Sequence, residues 1–246
     1  MAAFDPITHI AAQSAIAQHN WPQRGVAPIG YMKGMALAYA RVHCKLKAGE
    51  ASAADMAKAD TGDAAHDALA WYSAQFSALG MQNDVSGPVT LRHLFALLIG
   101  LGMRESSGKH CEGRDQSAEN TTAATAEAGL FQTSFNARTA SPLMPVLFAD
   151  YLAKPAGFLE VFREGVQCSA ASLQNFGSGQ GKEFQRLSKE CPAFAAEYAA
   201  VGLRNIRKHW GPINTRKAEV LANTDAMLKK IQVAVDASPA LQAAVL

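Results

Sequence analysis

The segment Arg104-Glu105-Ser106-Ser107-Gly108 closes an apolar run that starts near Leu91 and opens a long polar stretch. A carboxylate at that junction has packed helix behind it and an open face in front. Burial disfavours its charged form and raises its pKa, as a general acid working near neutral pH requires. The simpler alternative makes Glu105 a solvated helix-end residue paired with Arg104 or Lys109. Two other short patterns stand out. Ala128-Gly129-Leu130-Phe131-Gln132 places two apolar residues between a Gly and a Gln, and Asn175-Phe176-Gly177-Ser178-Gly179 is a Gly-rich turn that lets backbone approach a ligand closely. Taken singly, each of these also reads as an ordinary turn.

If Glu105 is an acid, a base is the next requirement, and the polar stretch offers Glu112, Asp115, Glu119 and Glu127. Asp115 ranks first, because Arg114 beside it would hold its carboxylate ionised, as a base requires. Glu127, just before the second pattern, ranks next. The alternative for Asp115 is an Arg-Asp pair that only pins the loop. Seven scattered histidines form no HExxH or similar pair, so neither a metal nor another cofactor is expected. Ser106 and Ser107 have no His-Asp partner in local sequence and no Gly-x-Ser-x-Gly elbow, so helix capping is the role predicted from spacing alone. Trp71, Tyr72 and Trp210 could stack on a ring-shaped ligand, but as single aromatics on apolar faces they are placed in the core. Cys44, Cys111, Cys168 and Cys191 fit either paired disulfides in an exported protein or buried thiols in a cytosolic one.

The elements that must hold these residues read almost entirely as helix, with strong helix formers and little β-branched alternation. Ile29 to Leu46 carries Met32, Met35, Ala36, Tyr39 and Val42 at helical spacing. Asp63 to Leu79 does the same with Leu69, Tyr72, Phe76 and Leu79, and Gly80 is placed to stop it. Asn83 to Pro88 is a breaker cluster. Thr90 then caps an apolar helix through Leu91, Leu94, Phe95 and Leu98. Ser106 to Glu127 is a polar loop of a length that is usually functional. Helix returns around Pro142 to Tyr151 and Phe158 to Phe162, a Gly-rich break follows at Gly177 to Gly181, and the tail over Thr215 to Val235 is amphipathic. These boundaries divide the chain into an N-terminal helical segment (1–86), a core (87–214) and a C-terminal amphipathic helix packed on it (215–246).

The 246 residues suit one large domain or a core with an appendage. Hydrophobic residues at 49% and charged residues at 18% give ordinary globular composition. No apolar run approaches the roughly 20 residues needed to span a bilayer. A net charge of +2 gives no reason to expect nucleic acid as a partner. The first residues show neither a basic region nor an apolar one, so no signal peptide is visible.

In their order along the chain, the three patterns resemble the lysozyme-like superfamily, especially soluble lytic transglycosylases and goose-type lysozymes. That family carries a catalytic Glu followed by Ser at a helix end, then a Gly-Leu-Met-Gln turn, then an Asn-Ala-Gly-x-Gly turn. Glu105-Ser106-Ser107, Gly129-Leu130-Phe131-Gln132 and Asn175-Phe176-Gly177-Ser178-Gly179 match them in turn, with Phe at Met and Ala positions. The resemblance spans roughly Leu91 to Leu187. It implies a mostly α, lysozyme-like helical core crossed by a sugar cleft. Glu105 would be the acid there, and Ser106, Gly129, Phe131, Gln132, Asn175 and Gly177 would bind substrate. Three departures stand out: Gln174 replaces the family's Tyr, Ser134 replaces the Asp of goose-type enzymes, and the polar loop is longer.

The implied substrate is a β-1,4-linked amino-sugar polysaccharide, peptidoglycan first, which points to an exported protein. An inverting hydrolase needs a second carboxylate about 6.5–9.5 Å from the acid, whereas a lytic transglycosylase manages with one. Ser134 at the Asp position therefore leans toward transglycosylation or toward a base from elsewhere. The alternatives are a chitinase- or chitosanase-type hydrolase, with a more acidic cleft favouring chitosan, and a catalytically silent module that binds glycan or a protein.

Overall fold

The computed structural model describes residues 4–115 and 122–246. Along the chain it contains α1 (Asp5–Ala12), a hairpin of β1 (Asn20–Trp21) and β2 (Gly25–Val26), α2 (Ile29–Lys47) and α3 (Ala51–Met56). Then come α4 (Ala68–Trp71), α5 (Ser73–Ala78), α6 (Pro88–Ser106), α7 (Leu143–Ala153) and α8 (Leu159–Phe162). The remainder holds α9 (Ala170–Leu173), α10 (Gly179–Glu190), α11 (Pro192–Asn205), α12 (Gly211–Asn214), α13 (Ala222–Asp236) and α14 (Pro239–Val245). Helix takes 62% of the residues and strand 3%, so the fold is mostly α. Among the described residues no helix is long and apolar enough to cross a membrane.

Three long helices, α2, α6 and α11, are buried along most of their lengths and pack on one another. One contiguous hydrophobic cluster runs from Ile7 to Val245 and takes side chains from both ends of the chain and from its middle. Small residues allow the close approaches. Gly30 and Gly34 leave room for α8, whose Phe162 ring would meet an added Cβ at Gly34. Gly100 lets the Glu219 backbone lie directly on α6, and the Tyr31 hydroxyl donates to Ile99 O at 2.7 Å, tying α2 to α6.

Several elements depart from the boundaries their sequence predicts, each for a local reason. The helix expected over Asp63 to Leu79 splits into α4 and α5 after a run of turns. Asp67 caps α4 by accepting from Leu69 N at 2.9 Å and is bonded to Arg204 at 2.9 Å, which fixes the helix start. Gly80, at φ 70°, does follow the end of α5. Thr90 is not the cap of α6: Gly87 and Pro88 start that helix, and the Thr90 hydroxyl bonds back to Val85 O at 2.6 Å. The tail becomes helical only from Ala222; the chain from Thr215 passes through a turn, with Arg216 at φ 53°, that sets Glu219 against Gly100.

Candidate active site

Helix α6 delivers Glu105 in its last turn. The helix stops because Ser107 and Gly108 turn left-handed, at φ 54° and 74°, and Gly108 is pressed against the Tyr31 ring. Glu105 opens onto a cleft of about 390 Å³. Glu127 and Gln132 line it with Glu105, and the chain from Glu112 to Asp115 forms its other wall. Burial, and next the nearby Glu127 charge, push the Glu105 carboxyl up to about 8, while Arg24 partly opposes them. The negative end of the α6 dipole also disfavours the anion there. Glu105 is therefore a neutral, proton-bearing acid at pH 7, facing solvent.

The neighbouring Arg104 is directed elsewhere. Its Nη2 meets Glu219 at 2.5 Å, Nη1 donates to Pro22 O at 2.9 Å, and Nε donates to Lys217 O at 2.8 Å. Among the described residues Glu105 makes no ion pair, so the solvated, Arg104-paired alternative does not describe this site. The Glu127 carboxyl is raised by burial and then by the Asp115 charge. The three acids thus form a chain of mutual repulsion, with Glu127 acting directly on Glu105 and Asp115 on Glu127. Glu119, the remaining acid of the polar stretch considered as a base, lies outside the described residues.

The second pattern forms a tight turn at the back of the cleft. Ala128 and Thr133 bridge antiparallel, Gly129 and Gln132 take φ 77° and 45°, and Gly129 N donates to Glu112 O at 2.9 Å. Gly129 is required for space too, since an added Cβ would lie 2.6 Å from Ser188 O. Phe131 is wholly buried in the core, and its carbonyl accepts from Trp210 Nε1 at 2.8 Å. The Ser106 hydroxyl is buried as well, 3.0 Å from Gly102 O and 2.9 Å from Leu130 O, where it locks the helix end to this turn. Gln132 alone among these residues reaches the cleft, with Nε2 bonded to Gly129 O at 3.1 Å.

No family model, curated protein or solved structure matches this chain.

The third pattern stands behind the cleft wall. Asn175 and Gly177 flank Phe176, whose ring carries the Arg114 guanidinium at 4.3 Å. Gln185 of α10 holds that turn, accepting from Phe176 N at 2.8 Å and donating to Ala123 O at 3.2 Å. The fold thus brings Glu105, Asp115, Glu127 and Gln132 around one cleft. Ser106, Gly129 and Phe131 serve as its backing, and Asn175 and Gly177 flank the Phe176 ring on which Arg114 stacks. Trp71 lies between the guanidinium groups of Arg207 and Arg216, and Tyr72 and Trp210 are core residues.

Two features had no sequence signal. Arg24, a cation acting on Glu105, comes from the N-terminal hairpin, 81 positions away in sequence. Cys111 and Cys168 form a disulfide, while Cys44 and Cys191 are buried thiols, an outcome between the two alternatives the cysteines had left open. His110 sits against that disulfide, and with both sulfurs bonded to each other the trio presents no free thiolate to a metal.

Proposed function

We propose that this protein cleaves a β-1,4-linked amino-sugar polysaccharide, peptidoglycan first, with Glu105 protonating the scissile glycosidic oxygen. One observation carries the reading: a protonated carboxyl at a helix end, facing an open polar cleft that holds a second carboxylate, Glu127. In hydrolysis, Glu127 is the first choice for the base, since its charge is the one felt by Glu105, and Asp115 follows. In transglycosylation Glu105 serves alone, returning as base toward a group of the sugar. The order of the three sequence patterns supports the lysozyme-like reading. The Cys111–Cys168 disulfide supports action in an oxidising, exported setting.

A second substrate is favoured by the lining itself. Beside the protonated Glu105, the cleft lining among the described residues carries three further acids, Glu112, Asp115 and Glu127, and the guanidinium of Arg114, a balance that suits the ammonium groups of chitosan. A silent binding module is disfavoured, because Glu105 is neither paired with Arg104 nor closed off.

Mass spectrometry of soluble products from peptidoglycan, chitin oligomers and chitosan oligomers, incubated in parallel, tests the reading. Products ending in a 1,6-anhydro sugar mean transglycosylation and leave Glu127 and Asp115 as electrostatic neighbours only. Reducing-end products mean hydrolysis with one of them as base. No product from any of the three polymers sinks the proposal.

The acid must carry its proton, so the cleavage rate is expected to fall as pH rises through about 8. Glu127→Gln removes the charge that helps raise Glu105, so that basic limb should move to lower pH. An unmoved limb in the variant would show that Glu127 does not act on the titrating acid.

A further inference from the structure

One wall of the cleft begins directly after a cross-link. Cys111 is bonded to Cys168 across a sequence separation of 57, and the next residues, Glu112 to Asp115, line the cleft. That wall rests on the segment following Cys168. An added Cβ at Gly113 would lie 2.9 Å from Ser172 Cα, and Arg114 stacks on Phe176. The segment itself has little apolar attachment, since α9 contains no buried side chain. What holds it is polar and covalent: the disulfide, Gln185 at the Phe176 turn, and Lys189 of α10, whose Nζ donates to Ser172 O at 2.9 Å and Gln174 O at 2.8 Å.

The sulfurs lie in unequal surroundings. Cys111 is buried and Cys168 is half-buried, so Cys168 is the sulfur open to attack. His110 is bonded to Lys189 O at 2.9 Å through Nδ1, and a carbonyl only accepts, so Nδ1 carries the proton. Its Nε2 lone pair then faces Cys168 Sγ at 3.7 Å. Burial also lowers the His110 pKa, which keeps that lone pair free at neutral pH.

We propose that the Cys111–Cys168 disulfide is a redox-sensitive positioning element of the cleft, opened by a dithiol reductant that thereby loosens the Glu112–Asp115 wall. One thiolate of the dithiol attacks Cys168 Sγ; the S–S bond breaks, and Cys111 leaves as a thiolate and takes up a proton. The second thiolate attacks the mixed disulfide and releases Cys168, whose regained S–H donates to His110 Nε2. Two electrons pass from the dithiol, which ends as its own disulfide, to the protein pair. The His110 acceptor stabilises the reduced form and so favours opening.

The effect on glycan cleavage rests on the function proposed above, whereas the structural effect does not. The test compares the full-length chain oxidised, reduced with dithiothreitol and re-oxidised, by hydrogen exchange, far-ultraviolet circular dichroism and cleavage assay. Reduction is expected to speed exchange in residues 111–115 and 168–176 while α6 and α11 stay protected. Cleavage should fall about 100-fold, as expected for misplacement of catalytic groups by about an ångström, and recover on re-oxidation. The double variant Cys111→Ser/Cys168→Ser should match the reduced protein without any reductant. Unchanged exchange in both segments overturns the proposal, and so does loss of helix signal on reduction, which would make the bond a general staple of the fold. If no glycan is cleaved even by the oxidised protein, the proposed function fails while the exchange comparison still decides this inference.

Discussion

Glu105→Gln is expected to lower glycan cleavage by roughly 10²–10⁴-fold, the contribution of a general acid, while making the fold more stable at pH 7. The second half follows from linkage. The folded carboxyl titrates at about 8, against an ordinary value of 4.5. Below the ordinary value both folded and unfolded chains hold the proton and the site costs nothing. As pH rises from there toward 8, the unfolded chain ionises freely and the folded one resists, so stability is lost across that window. Each pKa unit is worth about 1.4 kcal/mol, so the cost at pH 7 approaches about 3 kcal/mol. Glutamine keeps the shape without the ionisation and should recover most of it. Urea denaturation of both proteins at pH 4 and pH 7 checks this: the gain should appear at pH 7 and vanish at pH 4. An inactive variant with no gain at pH 7 would mean that Glu105 is ionised in the folded protein. Retained activity would remove Glu105 from the chemistry.

The largest expected loss of stability lies away from the cleft, at Arg204. This side chain on α11 is wholly buried beside Asp67. Its Nη1 donates to Met56 O at 3.1 Å and Lys58 O at 2.6 Å, and its Nη2 to Ala59 O at 2.8 Å and Asp67 Oδ2 at 2.9 Å. One guanidinium thus satisfies the carbonyls that end α3 and the carboxylate that caps α4. Arg204→Met leaves Asp67 as an uncompensated buried charge and orphans three carbonyls, at an expected cost of about 3–5 kcal/mol. Adding Asp67→Asn removes the orphaned charge while keeping a capping oxygen, so the double variant should lose less than Arg204→Met alone. Denaturation midpoints measure both, and a loss below about 1 kcal/mol in the single variant would mean water replaces the guanidinium.

Local sequence pattern was enough to read the helix expected over Ile29 to Leu46, which runs Ile29–Lys47, the end of α6 beside Glu105 and the turn character around Gly129. It worked because each of those features is written in local residue types: a one-sided stripe, a helix ending in Ser and Gly, and a Gly where φ is positive. It failed at α11, whose Ala-rich sequence is buried on all sides and so carries no stripe to detect. It also failed for the start of α6, where Thr90 looks like a cap but Gly87-Pro88 supplies the turn.

By itself, then, the sequence determined a mostly α chain, and it named Glu105, Asp115, Glu127 and Gln132, four groups that meet in one cleft. Tertiary structure decided how they act. Only packing desolvates Glu105, sets Glu127 beside it, turns Arg104 away and brings in Arg24 from the hairpin. Only chain crossing pairs Cys111 with Cys168, and only burial makes supports of Ser106 and Phe131, which the resemblance would have as substrate contacts. The reason is physical: charge states and cross-links depend on what lies within a few ångströms, and those neighbours come from positions far apart along the chain.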